Sequence, residues 1–142
     1  MKKTICIILL VLLCPFTSLS FAKADPTPVP PIFVDWVQQQ AKTYFVDYDS
    51  VSLIENYGTD DPTDYIATVR YKKRYLSDEN KILNMIKAFS DDLAANTYKM
   101  YDRISEIAVM WEVENARTEQ SRNIRYTYSR QSGGMLLIDK FE

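Results

Sequence analysis

Residues 65–76 read YIATVRYKKRYL and form the clearest β-strand pattern in the sequence. One set of alternating positions is apolar or aromatic: Tyr65, Ala67, Val69, Tyr71 and Tyr75. The other set carries the basic side chains of Arg70, Lys72 and Arg74. Because successive side chains of a strand point to opposite faces of a sheet, we expect one face on a core and the other in solvent.

The segment that follows, residues 77–93, predicts an amphipathic helix. Ser77 is placed to cap the first turn, and Asp78 and Glu79 lie near the positive end of the helix dipole. Apolar side chains then recur at spacings of four, three and four residues, at Ile82, Ile86, Phe89 and Leu93. A single apolar stripe of this kind is suited to covering one face of a sheet.

The carboxy-terminal third returns to a period of two. Two strands are predicted over residues 106–114 and 124–129, and the polar segment NARTEQSRN separates them. Ser132, Gly133 and Gly134 then predict a hairpin turn into a last strand, MLLIDKF, at residues 135–141.

The residues before position 65 show the same period over shorter runs. The side chains of residues 32–37 and 44–49 follow a period of two on either side of QQQAK, and this pattern predicts an antiparallel hairpin. Residues 54–64 carry Gly58 and Pro62 among polar residues and predict a loop. The expected order is therefore β-β-β-α-β-β-β, an α+β fold in which one helix packs on an antiparallel sheet of about six strands.

The amino terminus predicts a signal peptide over residues 1–24. A basic MKK, a short apolar run and the small-residue pattern around Lys23 indicate Sec export with cleavage before Asp25, to the periplasm or the cell surface. The apolar run is shorter than the roughly 20 residues of a membrane-spanning helix, so we expect no transmembrane segment after cleavage. Residues 25–31 contain four prolines and predict a stiff tether, and residues 32–142 predict a single domain.

Composition narrows the chemistry of the mature chain. Removal of the leader takes away both cysteines, Cys6 and Cys14, and leaves 14 basic residues against 19 acidic ones, which argues against nucleic-acid binding. The sequence has no histidine and only three glycines. These absences exclude Cys/His zinc sites, Ser-His-Asp triads and glycine-rich phosphate loops, so we expect no cofactor and no metal site of these kinds.

The remaining catalytic options are a Ser/Lys arrangement and a pair of carboxylates, and Asp47 and Asp49 offer such a pair. Two residues of strand separate them by about 6.6 Å, a spacing that inverting glycosidases also use but that any such pair provides. The surrounding residues fail the calcium-loop pattern, so we interpret the pair as polar residues at a strand end. Three loop carboxylates, Asp60, Asp61 and Asp64, could gather a weak calcium ion, although a solvated loop is the simpler interpretation.

The basic residues Arg70, Lys72 and Arg74 form the one concentrated charged feature. They could bind an acidic protein surface or an anionic polymer. The alternative is that they pair across the sheet with Glu106, Glu112 or Glu114 on a neighbouring strand.

Two segments carry a resemblance to a known family. Residues 44–51 read YFVDYDSV, and MWEVEN followed by RNIRYTYSRQSGGMLL runs from Met110 through the glycine hairpin. These segments resemble the bacterial surface-adhesin protein E family. The resemblance implies a small exported protein of sheet and helix, which in some members binds host extracellular proteins.

The expected function is therefore a non-enzymatic binding module, periplasmic or on the cell surface. A small periplasmic hydrolase that uses carboxylates is the alternative. The edge strands of an open sheet could also support dimerisation or the addition of a partner strand.

Overall fold

A computed structural model describes residues 29–56, 64–76 and 78–142, and its elements follow in the order α-β-β-α-β-β-β. They are α1 Pro31–Tyr44, β1 Asp47–Glu55, β2 Tyr65–Tyr75, α2 Glu79–Met100, β3 Ile104–Asn115, β4 Ser121–Gln131 and β5 Gly134–Phe141. The α+β class is confirmed. The predicted count of about six strands and one helix is wrong, because the described residues form five strands and two helices.

The five strands form one sheet in the order β1-β2-β3-β4-β5. Strands β2 and β3 are parallel, with Val69 beside Val109, and the other neighbours are antiparallel. The expectation of a wholly antiparallel sheet is therefore wrong. The reason is length: the 11 residues of β2 span about 36 Å and the 22 residues of α2 about 33 Å, so the helix returns the chain to the end where β2 began.

Helix α1 replaces the predicted first strand and the connection after it. Its buried residues, Phe33, Val37 and Ala41, recur every four positions and form one face of a helix. Pro31 stands in the first turn, where its missing N–H costs nothing, and Phe45 ends the helix in a left-handed conformation. The last two prolines of the predicted tether thus belong to a helix start, and residues 25–28 lie outside the described residues.

Strand β1 also differs from expectation. It begins at Asp47 and runs to Glu55, so it takes only the end of the predicted strand 44–49 and extends into the segment predicted as a loop. The predicted strand over residues 65–76 and the predicted carboxy-terminal hairpin are confirmed as β2 and as β4 with β5.

Helix α2 confirms the predicted amphipathic helix and extends it to Met100. Asp78, and not Ser77, stands at the N-cap: its side chain accepts a hydrogen bond from the Asn80 N–H at 2.8 Å. Ser77 lies outside the described residues. The buried side of α2 consists of Ile86, Phe89, Ser90, Leu93, Ala94 and Thr97.

Both helices pack on the same face of the sheet. The Tyr71 hydroxyl donates to the Val37 carbonyl of α1 at 3.2 Å, and the Tyr71 ring lies 4.9 Å from the Phe89 ring of α2. Trp111 on β3 contacts Phe89 at 5.2 Å and donates from Nε1 to Ser90 Oγ at 2.9 Å. The large side chains of β2, β3 and β4 therefore point into one core, and neither of the two helices of the described residues lies on the opposite face of the sheet.

Within the described ranges, no helix is both long enough and apolar enough to cross a membrane. The predicted leader lies before residue 29, outside these ranges, and stays a prediction.

Candidate functional site: the uncovered face of the sheet

One row of side chains crosses all five strands on the uncovered face. Strand register places Ser50 beside Arg70, Arg70 beside Met110, Met110 beside Arg125, and Arg125 beside Phe141. Directly opposite residues share a face of a sheet, so these five side chains stand in line. We call them the arginine row.

The rows on either side of the arginine row differ in character. On one side lie four small side chains, Ser52, Thr68, Ala108 and Thr127. We call this part of the surface the low strip, because its side chains extend only a short distance from the backbone. On the other side Lys72 stands beside Glu112, and Glu112 beside Asn123. The arginine row therefore borders a low strip and a charged strip.

A shallow cavity of about 280 Å³ follows the arginine row. Its charged lining consists of three cations, Arg70, Lys72 and Arg125, and two carboxylates, Asp49 and Glu112. Met110 and Phe141 contribute apolar surface. The volume lies near the lower end of small-ligand sites, which begin at about 300 Å³.

The predicted basic residues separate into two that are paired and one that is not. Lys72 Nζ lies 3.2 Å from Glu112 and 3.6 Å from Asp49, and Arg74 Nε lies 3.1 Å from Glu114. Cross-strand pairing with glutamates of the neighbouring strand is thus confirmed for Lys72 and Arg74. Hydrogen bonding to Glu112 also raises the pKa of the Lys72 ammonium.

Arg70 is the exception among the three. It is exposed, and it makes no ion pair with any carboxylate in the described part of the chain. Its strand neighbours in the arginine row are Ser50 and Met110, and neither neutralises its charge. Lys72 and Arg74 are thus paired within the described residues and Arg70 is not, and a partner-binding patch of all three stays a prediction.

Arg125 is a site residue that the sequence pattern does not indicate. Its Nη2 donates to Asp139 at 2.5 Å, and its guanidinium carbon lies 5.9 Å from the centre of the Phe141 ring. Its Nε is buried and has no hydrogen-bond partner among the described residues. The sequence showed Arg125 on the solvent side of a strand, but only the register reveals that it shares a row with Arg70.

The two aspartates considered for catalysis lie at the sheet edge. Asp47 and Asp49 are exposed on β1, next to an irregularity in its pairing with β2. Asp49 accepts a hydrogen bond from Ser50 Oγ at 3.2 Å and pairs with Lys72. This arrangement resembles the polar strand end that we predicted, although the residues begin β1 and do not end it.

Among residues 29–56, 64–76 and 78–142, no group of three or more acidic side chains is placed to hold a metal ion. Of the three loop carboxylates considered for calcium, Asp60 and Asp61 lie outside these ranges, and Asp64 lies inside them.

The two edges of the sheet differ in polarity. Strand β1 presents aspartates and serines, whereas β5 exposes Leu136, Leu137, Ile138 and Phe141, of which Leu136 is 58% exposed. An exposed apolar edge strand is a surface on which another strand can add. Dimerisation through a sheet edge stays a prediction, and β5 is the edge that suits it.

Comparisons with known proteins place the chain in no established family. No family model matches the sequence, and no curated protein sequence matches it. One solved structure, the central domain of yeast acetyl-CoA carboxylase, is similar over 62% of this chain at 8% sequence identity, with a TM-score of 0.34. The similarity spans 20% of that chain's length. A likeness this distant carries no argument about fold or function.

Proposed function

We propose that the protein is an exported, non-enzymatic binding module and that the uncovered face of its sheet contacts a protein or an anionic polymer. The observation that carries this proposal is the placement of both helices on one face, which leaves the other face with a groove, the unpaired guanidinium of Arg70 and apolar side chains. Export rests on the predicted leader, and the resemblance to surface-adhesin protein E supports a binding role outside the cytoplasm.

The carboxylate geometry favours binding over hydrolysis. A general acid of a glycosidase is usually a carboxyl held in apolar surroundings, where burial keeps it protonated. Asp47 and Asp49 instead stand exposed at the edge of the sheet, and Asp49 is paired with Lys72. The alternative of a small carboxylate-dependent hydrolase therefore gains no support from this pair.

A matched pair of variants tests whether the uncovered face is the binding surface. Ala108 lies at its centre, in the low strip, whereas Ala88 is exposed on the helix layer. Ala108→Arg places a bulky charged side chain on the uncovered face, and Ala88→Arg places the same side chain on α2. The tagged chain from Asp25 and both variants are used to capture partners from envelope and host-matrix extracts.

We expect a protein or polymer that the parent chain and Ala88→Arg retain and that Ala108→Arg loses. The captured partner is then identified and its binding is repeated with purified components. Equal capture by all three chains would show that the partner uses another surface. Fractionation of cells that express the whole chain tests export separately, since a cytoplasmic product of full length would contradict it.

A further inference from the structure

We propose that the arginine row binds a carboxylate side chain of the partner, with an apolar side chain of the partner packed beside it. This inference rests on the proposed function and specifies its ligand. It assigns the carboxylate to Arg70 and Arg125, and the apolar side chain to Met110 and Phe141.

The charge pattern of the uncovered face favours an anionic ligand. Lys72, Arg74 and Arg125 each have at least one carboxylate of this chain within ion-pair distance, whereas Arg70 makes no such pair among the described residues. Asp49 and Glu112 pair with Lys72, and Asp139 pairs with Arg125, which leaves Arg70 as the cation of the groove that no carboxylate of the described residues neutralises. A guanidinium offers a planar fork of donors that matches a carboxylate, so the vacant side of Arg70 suits that group in particular.

Arg125 supplies a second set of donors. Its bond to Asp139 occupies Nη2, while Nε has no acceptor in the described part of the chain and is shielded from water. Because Nε is shielded, a ligand oxygen meets the guanidinium at its accessible edge, and the Arg125 side chain is 43% exposed. Two strand spacings separate the backbones of Arg70 and Arg125 by about 9.6 Å, a gap that two long side chains can close over Met110.

Met110 and Phe141, the apolar members of the row, determine which kind of side chain binds beside the carboxylate. Met110 lies between the two arginines, and Phe141 is 59% exposed beside Arg125. Methionine adapts its shape to a bound group, and an exposed phenylalanine gains from burial. A sulfated polymer brings charge without an apolar group. An extended peptide brings both, because its side chains at positions i and i+2 lie on one side about 6.6 Å apart.

Three blocked peptides provide the test. The first is Ac-Lys-Leu-Thr-Glu-Thr-Leu-Lys-NH2, in which leucines flank the glutamate at i−2 and i+2. The second replaces the glutamate by glutamine, and the third replaces both leucines by serine. Each is titrated into the isotope-labelled chain from Asp25 while NMR follows the backbone amides and the arginine Nε–H signals. Hexanoate serves as a fourth ligand, a free carboxylate with an apolar tail.

We expect the first peptide to shift the signals of Arg70, Met110 and Arg125 in a saturable way. The glutamine peptide should bind about ten-fold more weakly, since a hydrogen bond to a charged group is replaced by a neutral one. The serine peptide should also bind more weakly, because it leaves Met110 and Phe141 in water. Equal binding of the glutamate and glutamine peptides would overturn the proposal. So would binding of hexanoate to the row without binding of the first peptide, which would indicate a small ligand.

Substitutions distinguish specific binding at the arginine row from a general attraction between opposite charges. Arg70→Gln and Arg125→Lys should each weaken the glutamate peptide about ten-fold, the second because lysine keeps the charge but has no guanidinium fork. Arg74→Gln removes a cation that is already paired with Glu114 and should leave binding unchanged. An equal loss in Arg74→Gln would refute the assignment, and the amide spectra of each variant report whether it is folded.

The test also distinguishes this inference from the proposed function. If Ala108→Arg abolishes capture of the partner while Arg70→Gln and Arg125→Lys leave it intact, the uncovered face binds the partner by other contacts and the carboxylate assignment is wrong. If Ala108→Arg has no effect on capture, the proposed binding face itself is wrong.

Discussion

Substitution of Ser90 by alanine should destabilise the domain far more than the loss of one hydroxyl from a helix would suggest. Ser90 is fully buried on α2, and its Oγ donates to the Ile86 carbonyl at 2.7 Å. The same oxygen accepts the Trp111 Nε1–H at 2.9 Å. Trp111 is 1% exposed, so in Ser90→Ala its N–H has neither a protein acceptor nor free access to water.

The magnitude follows from the donor that is left behind. The Ile86 carbonyl keeps its helix hydrogen bond, whereas an unsatisfied buried N–H costs about 1–3 kcal/mol. For a domain of this size, each kcal/mol of lost stability lowers Tm by roughly 4 °C. We therefore expect Tm of Ser90→Ala to fall by between roughly 4 and 12 °C.

Thr97 on the same helix provides the control. It is equally buried, and its Oγ1 donates to the Leu93 carbonyl at 2.8 Å, but no side chain of the described residues donates to it. Thr97→Val keeps the shape and leaves no orphan donor, so it should cost less than about 1 kcal/mol. Thermal unfolding followed by far-UV circular dichroism gives Tm of both variants, and urea unfolding gives their free energies of unfolding.

A double-mutant cycle completes the argument. Trp111→Phe removes the donor, so adding Ser90→Ala to it should cost about 1–3 kcal/mol less than Ser90→Ala costs in the parent chain. Two results would refute the reasoning: equal losses in Ser90→Ala and Thr97→Val, or a cycle in which the two substitutions are simply additive.

Two further predictions concern Arg130, whose contacts are partly buried, and Tyr71, which is buried. The Arg130 guanidinium donates to the backbone carbonyls of Tyr98, Tyr101 and Ile104 at 2.6–3.1 Å, so Arg130→Lys should cost about 1.5–3 kcal/mol in urea unfolding despite its retained charge, and a loss below about 0.5 kcal/mol would contradict this role. Burial raises the pKa of Tyr71 above its ordinary value of 10.0, so folding favours the protonated phenol. This contribution is complete below pH 10 and is lost as pH rises through the folded-state pKa, so the urea midpoint should fall above about pH 10. Tyr71→Phe should reduce that fall, and an unchanged pH dependence would show that other groups cause it.

The sequence predicted those elements whose pattern is long and unambiguous. Strand β2 alternates over 11 residues, and α2 keeps one apolar face over more than three turns, so neither pattern fits the other type of structure. Helix α1 was mistaken for a strand because residues 32–37 alternate over only six positions. The spacing of Phe33, Val37 and Ala41, together with the helix-forming glutamines between them, carried the correct signal.

The site was predictable only in part, because it depends on register. Alternation placed Arg70, Lys72 and Arg74 on the solvent side of β2, and nearby glutamates on β3 made pairing a natural expectation. The partners of each residue follow from the alignment of neighbouring strands, which single-strand patterns do not determine. Arg125 joined the site for that reason, since β4 meets β2 only through β3.

The parallel pairing of β2 and β3 also has a consequence for the order of folding. Val69 and Val109 lie side by side but 40 residues apart in the chain, whereas β3, β4 and β5 follow one another through short connections. Contacts between distant residues carry a larger loop-closure cost and form later than local ones. We therefore expect the β3–β5 meander and the β1–β2 hairpin to form first, each with an unpaired edge, and β2 to pair with β3 later, across the connection that α2 makes. Until then either half can pair with the complementary half of a second molecule, so the join between β2 and β3 is where this protein is most exposed to domain swapping.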